Sequence, residues 1–118
     1  MKIKTENGFS YYESDRKKSE AIVLLHGLFG ALSNFKNLAE DFGNAYNVVI
    51  PILPLYTLPV KESGIDGMLK YLEEFVEHKG YKQFHILGNS LGGHIAQLYV
   101  LTSQDKVATM TLTGSSGL

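Results

Sequence analysis

Ser90 stands between two glycines in Gly88-Asn89-Ser90-Leu91-Gly92, a spacing suited to nucleophilic attack on a carbonyl carbon. The strand-like run Gln83-Phe84-His85-Ile86-Leu87 leads into it and a helix-like run leads out. A serine on so sharp a strand-to-helix turn is pushed into a strained, solvent-facing position, and the flanking glycines let strand and helix backbones approach closely. The first N–H groups of the helix, which carry partial positive charge, then face the oxygen that becomes negative during attack. The expected catalytic group is therefore Ser90, acting through an acyl-enzyme; the plainer alternative is a turn retained only as architecture. Gly92 and Gly93 suit both readings, because either requires a helix that starts tight against the sheet.

A second element points the same way. Ala21-Ile22-Val23-Leu24-Leu25 is a short unbroken apolar run, as expected for a strand buried on both faces, and it ends in His26-Gly27-Leu28-Phe29-Gly30. On these two motifs and their order the sequence resembles the α/β-hydrolase superfamily. The resemblance implies a doubly wound, mostly parallel sheet in which a His-Gly turn after a central strand supplies one oxyanion-hole N–H. The residue after the nucleophile supplies the other. Carried onto this chain, the donors are the backbone N–H groups of Leu28 and Leu91, supported by His26, Gly27, Gly88, Asn89, Gly92 and Gly93. Gly-Asn-Ser-Leu-Gly-Gly also resembles the elbows of carbon–carbon bond hydrolases acting on diketone-like compounds, although esterases share it.

A serine hydroxyl needs a base to take its proton. After Ser90 the sequence offers one carboxylate, Asp105, and one histidine, His94, and neither fits the superfamily order of serine, acid and histidine. Asp105 falls between the nucleophile helix and the next strand, at the amino end of the sheet. His94 lies on the nucleophile helix and precedes the acid. His78 ends a helix, His85 is a strand residue and His26 belongs to the turn. The expectation is that the triad's acid and base lie beyond Leu118 and that residues 1–118 form the N-terminal part of a single α/β-hydrolase domain. On this reading the sheet is truncated after its sixth strand, and the segment alone is inactive. It would expose an edge along Val107–Thr113 and would be marginally stable, aggregation-prone or paired with another copy.

Composition narrows the remaining classes. The 118 residues, 44% apolar and 19% charged, suit one globular domain, and a net charge of −1 gives no electrostatic case for nucleic acid or an anionic membrane. Arg16-Lys17-Lys18 reads as a solvated turn. The absence of cysteine excludes disulfides and thiolate metal sites. No His/Asp/Glu cluster has metal-ligand spacing, so no cofactor or metal is implied. Without a signal-like start or a membrane-length apolar run, the expected location is cytoplasmic. The expected partner is a small-molecule substrate, with a homo-oligomer left open.

The elements that must position Ser90 follow from periodicity. Strands are predicted near Lys2–Glu6 and Phe9–Glu13 around an Asn7-Gly8 turn, at Ala21–Leu25, at Asn47–Ile50 and at Val107–Thr113. Helices are predicted from Asn34 to Phe42 with Ser33 as cap and Gly43 as terminator, from Gly64 to His78 with Ser63 as cap and Gly80 as terminator, and from Leu91 to Thr102. Pro51 and Pro54 should stop the Asn47–Ile50 strand. They open a loop to Lys61 whose apolar residues Leu53, Leu55, Tyr56 and Leu58 either line an acyl pocket or pack beneath a lid. Ser115 and Ser116 read as turn residues. Alternating strands and helices imply parallel β-α-β crossovers and a doubly wound sheet, with ligands bound beyond the carboxyl ends of the strands.

The favoured activity is hydrolysis of a small ester, thioester, lactone or diketone-like carbonyl. The rivals are acyl transfer or perhydrolysis by the same elbow, and a non-catalytic α/β-hydrolase-like binding module.

Overall fold

The reason Ser90 has a sheet edge to stand on is visible in strand β3 (Ala21–Leu25), every residue of which is buried. Residues 2–14, 17–26, 31–54 and 64–114 are described in a computed structural model. Around β3 lie β1 (Lys2–Glu6), β2 (Phe9–Glu13), α1 (Ala31–Phe42), β4 (Asn47–Pro51), α2 (Ile65–Lys79), β5 (Phe84–Asn89), α3 (Leu91–Ser103), a short 3-10 turn at Gln104–Lys106 and β6 (Val107–Thr113). They form a six-stranded sheet in the order β1-β2-β4-β3-β5-β6. The β1–β2 hairpin and its junction with β4 are antiparallel. β4, β3, β5 and β6 run parallel, as the crossovers require.

Strand periodicity divides the core in two. Val23, Leu25, Val49 and Ile86 pack with Met68, Leu72, Phe75 and Val76 of α2 and with Ile95, Ala96 and Tyr99 of α3. Ile22, Leu24, Val48, Ile50 and Leu87 pack on the opposite side with Ala39, Leu38 and Phe42 of α1. Each such fully buried aliphatic side chain contributes about 1.5–3 kcal/mol relative to exposure.

The hairpin is fastened to this core by a polar cluster. Glu13, only 7% exposed, accepts hydrogen bonds from Lys4 Nζ at 3.1 Å, Lys79 Nζ at 3.0 Å and Asn47 Nδ2 at 2.6 Å. Burial alone pushes its carboxyl up, but these donors outweigh burial and hold it below the usual carboxylate value. One side chain thus joins β1, β2, β4 and α2.

Several predicted boundaries move. Helix α1 begins at Ala31, so Ser33 lies inside its first turn and is not the cap; Ala31 and Leu32 are good helix formers and extend it backwards. Gly64, in extended conformation, is the N-cap of α2 and makes no side-chain cap bond, in place of Ser63, which lies outside the described residues. The C-cap Gly80 ends the helix as predicted; it is left-handed, with φ 72° and its N–H bonded to Val76 and Glu77 carbonyls. Gly43 is not among the left-handed glycines, although its N–H still bonds Ala39 O at 2.9 Å. Pro51 is the last residue of β4, not the residue beyond it, and pairs with Tyr11. The predicted open edge is present at β6, whose residues Ala108–Thr111 are exposed.

Candidate active site

β3 and β5 are neighbours, and their register sets Leu25 opposite Gly88. His26, the residue after β3, and the bend that carries Ser90 therefore lie at the same carboxyl edge of the sheet. Ser90 itself is exposed and takes φ 56° and ψ −121°, a conformation that costs a non-glycine residue about 1–3 kcal/mol.

Three backbone hydrogen bonds and two glycines hold that strain in place. Ser90 O accepts the N–H groups of Gly93 at 3.0 Å and His94 at 3.3 Å, while Ser90 N–H donates to Thr113 O at 3.1 Å. A Cβ on Gly88 would lie 2.5 Å from Gly92 O and 2.6 Å from Gly93 Cα. One on Gly92 would lie 2.5 Å from the carbonyl carbon of Leu25. Real Cβ atoms do not approach backbone so closely, so both positions demand glycine on steric grounds. The start of α3 is thereby pressed against the ends of β3 and β5.

The serine hydroxyl does not cap α3. Leu91 is the first residue of that helix, where N–H groups lack intrahelical acceptors and the helix end is electropositive. The hydroxyl is thus not spent on capping the helix, and an amide donor follows it directly in the chain.

His26 is buried at 7% exposure, and its Nε2 accepts the backbone N–H of Leu53 at 3.3 Å. The bond ties the residue after β3 to the segment leaving β4.

The other groups weighed from the sequence are not gathered here. His78 bonds Glu6 and Asn7, and His85 bonds Thr109 and Glu20. Asp105 sits in the turn before β6, at the amino edge where Val107 pairs with Phe84. His94 is half-buried in the first turn of α3. Gly27 and Leu28, the apolar residues Leu55, Tyr56 and Leu58, and Ser115 and Ser116 lie outside the described residues. Among the described residues, no three His, Asp or Glu groups stand together as metal ligands. No helix there is long and apolar enough to cross a membrane.

Two contacts of the site carry no signal in the sequence. One is the His26–Leu53 bond. The other is a bond from Thr113 Oγ1 to Asn89 Oδ1 at 3.0 Å. Both depend on strand register, and no motif announces them.

The model of the family described as alpha/beta hydrolase fold matches residues 20–117, and the chain belongs to that family. The crystal structure of an α/β-hydrolase enzyme from the metagenome of sediments of the Mar Chica lagoon, Morocco, is 43% identical with a TM-score of 0.92, over 100% of this chain and 53% of that one. Lipase 3 of Moraxella sp. (strain TA144) is 28% identical over 91% of this chain and 35% of its own length. A 2-hydroxy-6-oxononadienedioate/2-hydroxy-6-oxononatrienedioate hydrolase of Burkholderia vietnamiensis is 30% identical over 88% of this chain and 39% of its own length. The chain thus spans less than half the length of these curated relatives.

Proposed function

We propose that this chain carries the nucleophile of a serine hydrolase, with Ser90 as the attacking residue and the backbone N–H groups of Leu91 and Leu28 as the oxyanion donors. The observation that carries the reading is the positive φ of an exposed serine at the β5–α3 bend, held there by glycines that tolerate no side chain. Backbone strain of this kind persists only where surrounding structure enforces it, and it concentrates at reacting residues.

In the proposed reaction the bond from Ser90 Oγ to the substrate carbonyl carbon forms while the hydroxyl proton passes to a general base. The carbonyl oxygen becomes the oxyanion held by the two N–H groups, each worth a factor of about a hundred to a thousand in rate. The tetrahedral intermediate collapses with loss of the leaving group, which takes the proton. Water then adds to the acyl carbon and Ser90 departs with a proton restored. Each described histidine other than His94 has its own ring partner, and among the described residues no hydrogen bond joins the His94 ring to the Ser90 hydroxyl. The base is therefore assigned to none of them.

The substrate class proposed is a small ester or a diketone-like carbonyl, in line with a lipase and a ring-fission product hydrolase among the relatives. The test is a fluorophosphonate probe applied to the full gene product and to its Ser90→Ala variant. Covalent labelling of the first and none of the second is expected. A folded wild-type protein left unlabelled would favour the binding-module alternative.

A further inference from the structure

We infer that Thr113 is a positioning residue for Ser90, acting through Asn89, and this rests on the proposed role of Ser90 as nucleophile. Thr113 is the last residue of β6 and pairs with Asn89, the last residue of β5. Paired residues on parallel strands point to the same face, so the two side chains are neighbours by register. The Thr113 hydroxyl donates to Asn89 Oδ1 at 3.0 Å, and the Thr113 carbonyl accepts the Ser90 N–H at 3.1 Å.

One residue therefore holds both positions at the bend, residue 89 by side chain and residue 90 by main chain. The two bonds are not equivalent. The carbonyl bond survives any substitution at position 113, whereas the hydroxyl bond is removed by one atom change.

The hydroxyl bond matters because the peptide between Asn89 and Ser90 is where the chain turns from extended strand into the strained conformation. Rotation of that peptide swings Ser90 Oγ. With Asn89 anchored at Oδ1, its χ1 and ψ are restrained together, and the bend has one orientation. Without the anchor, only the main-chain bonds of Ser90 and the close packing at Gly88 and Gly92 restrain it.

The experiment measures the second-order rate constant of fluorophosphonate labelling in the full gene product. Thr113→Val keeps the β-branched shape and removes the hydroxyl; Asn89→Ala removes the acceptor. Each is expected to slow labelling about 3- to 10-fold, the range that loss of one neutral hydrogen bond supports. The double variant is expected to be no slower than the slower single variant, because both remove the same bond. Thr113→Ser, which restores the hydroxyl, is expected to label at the wild-type rate, a rescue that loss of packing at position 113 does not predict. Should Thr113→Val perturb the edge strand, Thr113→Ala carries the same comparison.

Wild-type labelling at Ser90 together with an unchanged rate in Thr113→Val, or with losses that multiply in the double variant, overturns the inference and leaves the nucleophile standing. A folded wild-type protein that is not labelled at Ser90 overturns both.

Discussion

The backbone N–H of Leu53 donates to His26 Nε2 at 3.3 Å, joining the residue after β3 to the segment that leaves β4. The bond is buried, and so are both residues, at 7% and 4% exposure. His26→Ala leaves a buried N–H without this acceptor, which costs about 1–3 kcal/mol. Urea unfolding is expected to show that loss, and His26→Gln, whose amide oxygen can accept, is expected to recover part of it.

The bend at Ser90 makes a prediction about strain that is separate from catalysis. Ser90→Ala and Ser90→Gly both remove the hydroxyl, but only glycine occupies φ 56° freely. Ser90→Gly is expected to be the more stable of the two by about 1 kcal/mol, read as a higher midpoint in thermal melts. Equal midpoints would mean that the bend holds no stored strain.

Two glycines separate crowding from backbone conformation. At Gly92 an added methyl group meets the Leu25 carbonyl, whereas at Gly80 it meets open space and the difficulty is only the φ of 72°. Gly80→Ala is expected to cost about 1–2 kcal/mol. Gly92→Ala must displace backbone and is expected at or above the upper end of the roughly 1–3 kcal/mol of overpacking. Probe labelling at Ser90 should fall in Gly92→Ala and stay unchanged in Gly80→Ala.

The Glu13 cluster gives the acid side of the stability profile a sign. Its folded carboxyl sits below the ordinary value of 4.5, with burial opposed and outweighed by the bonds from Asn47, Lys79 and Lys4. The unfolded chain therefore takes up this proton first as pH falls. The stabilisation is complete above the unfolded value and is lost as pH drops through the folded one. Glu13→Gln is expected to lower the unfolding free energy at pH 7 by about 1.5–3 kcal/mol, as for hydrogen bonds to a charged group. The gap to wild type should narrow in paired denaturation curves as pH falls through the lowered value of the folded carboxyl.

What the sequence revealed and what it hid divide along one line. Features set by local chain chemistry were legible: the apolar run Ala21–Leu25, the bend between Gly88 and Gly92, and the stop at Gly80. Predicted convergence of the two motifs is met by the pairing of Leu25 with Gly88. Helix starts were misread where a polar residue, Ser33 or Ser63, outbid its neighbours as a cap. Good helix formers at Ala31 and Leu32 and an extended Gly64 set the real starts. Contacts that need long-range register, Thr113 with Asn89 and His26 with Leu53, have no local signature at all.

The Leu25 carbonyl group, against which Gly92 rests, belongs to the main chain, and every residue type has one. The seat of the helix is consequently blind to side-chain identity at position 25, so long as the strand stays in the sheet. Surrounding loops are then free to diverge, while the bend at Ser90 keeps its coordinates.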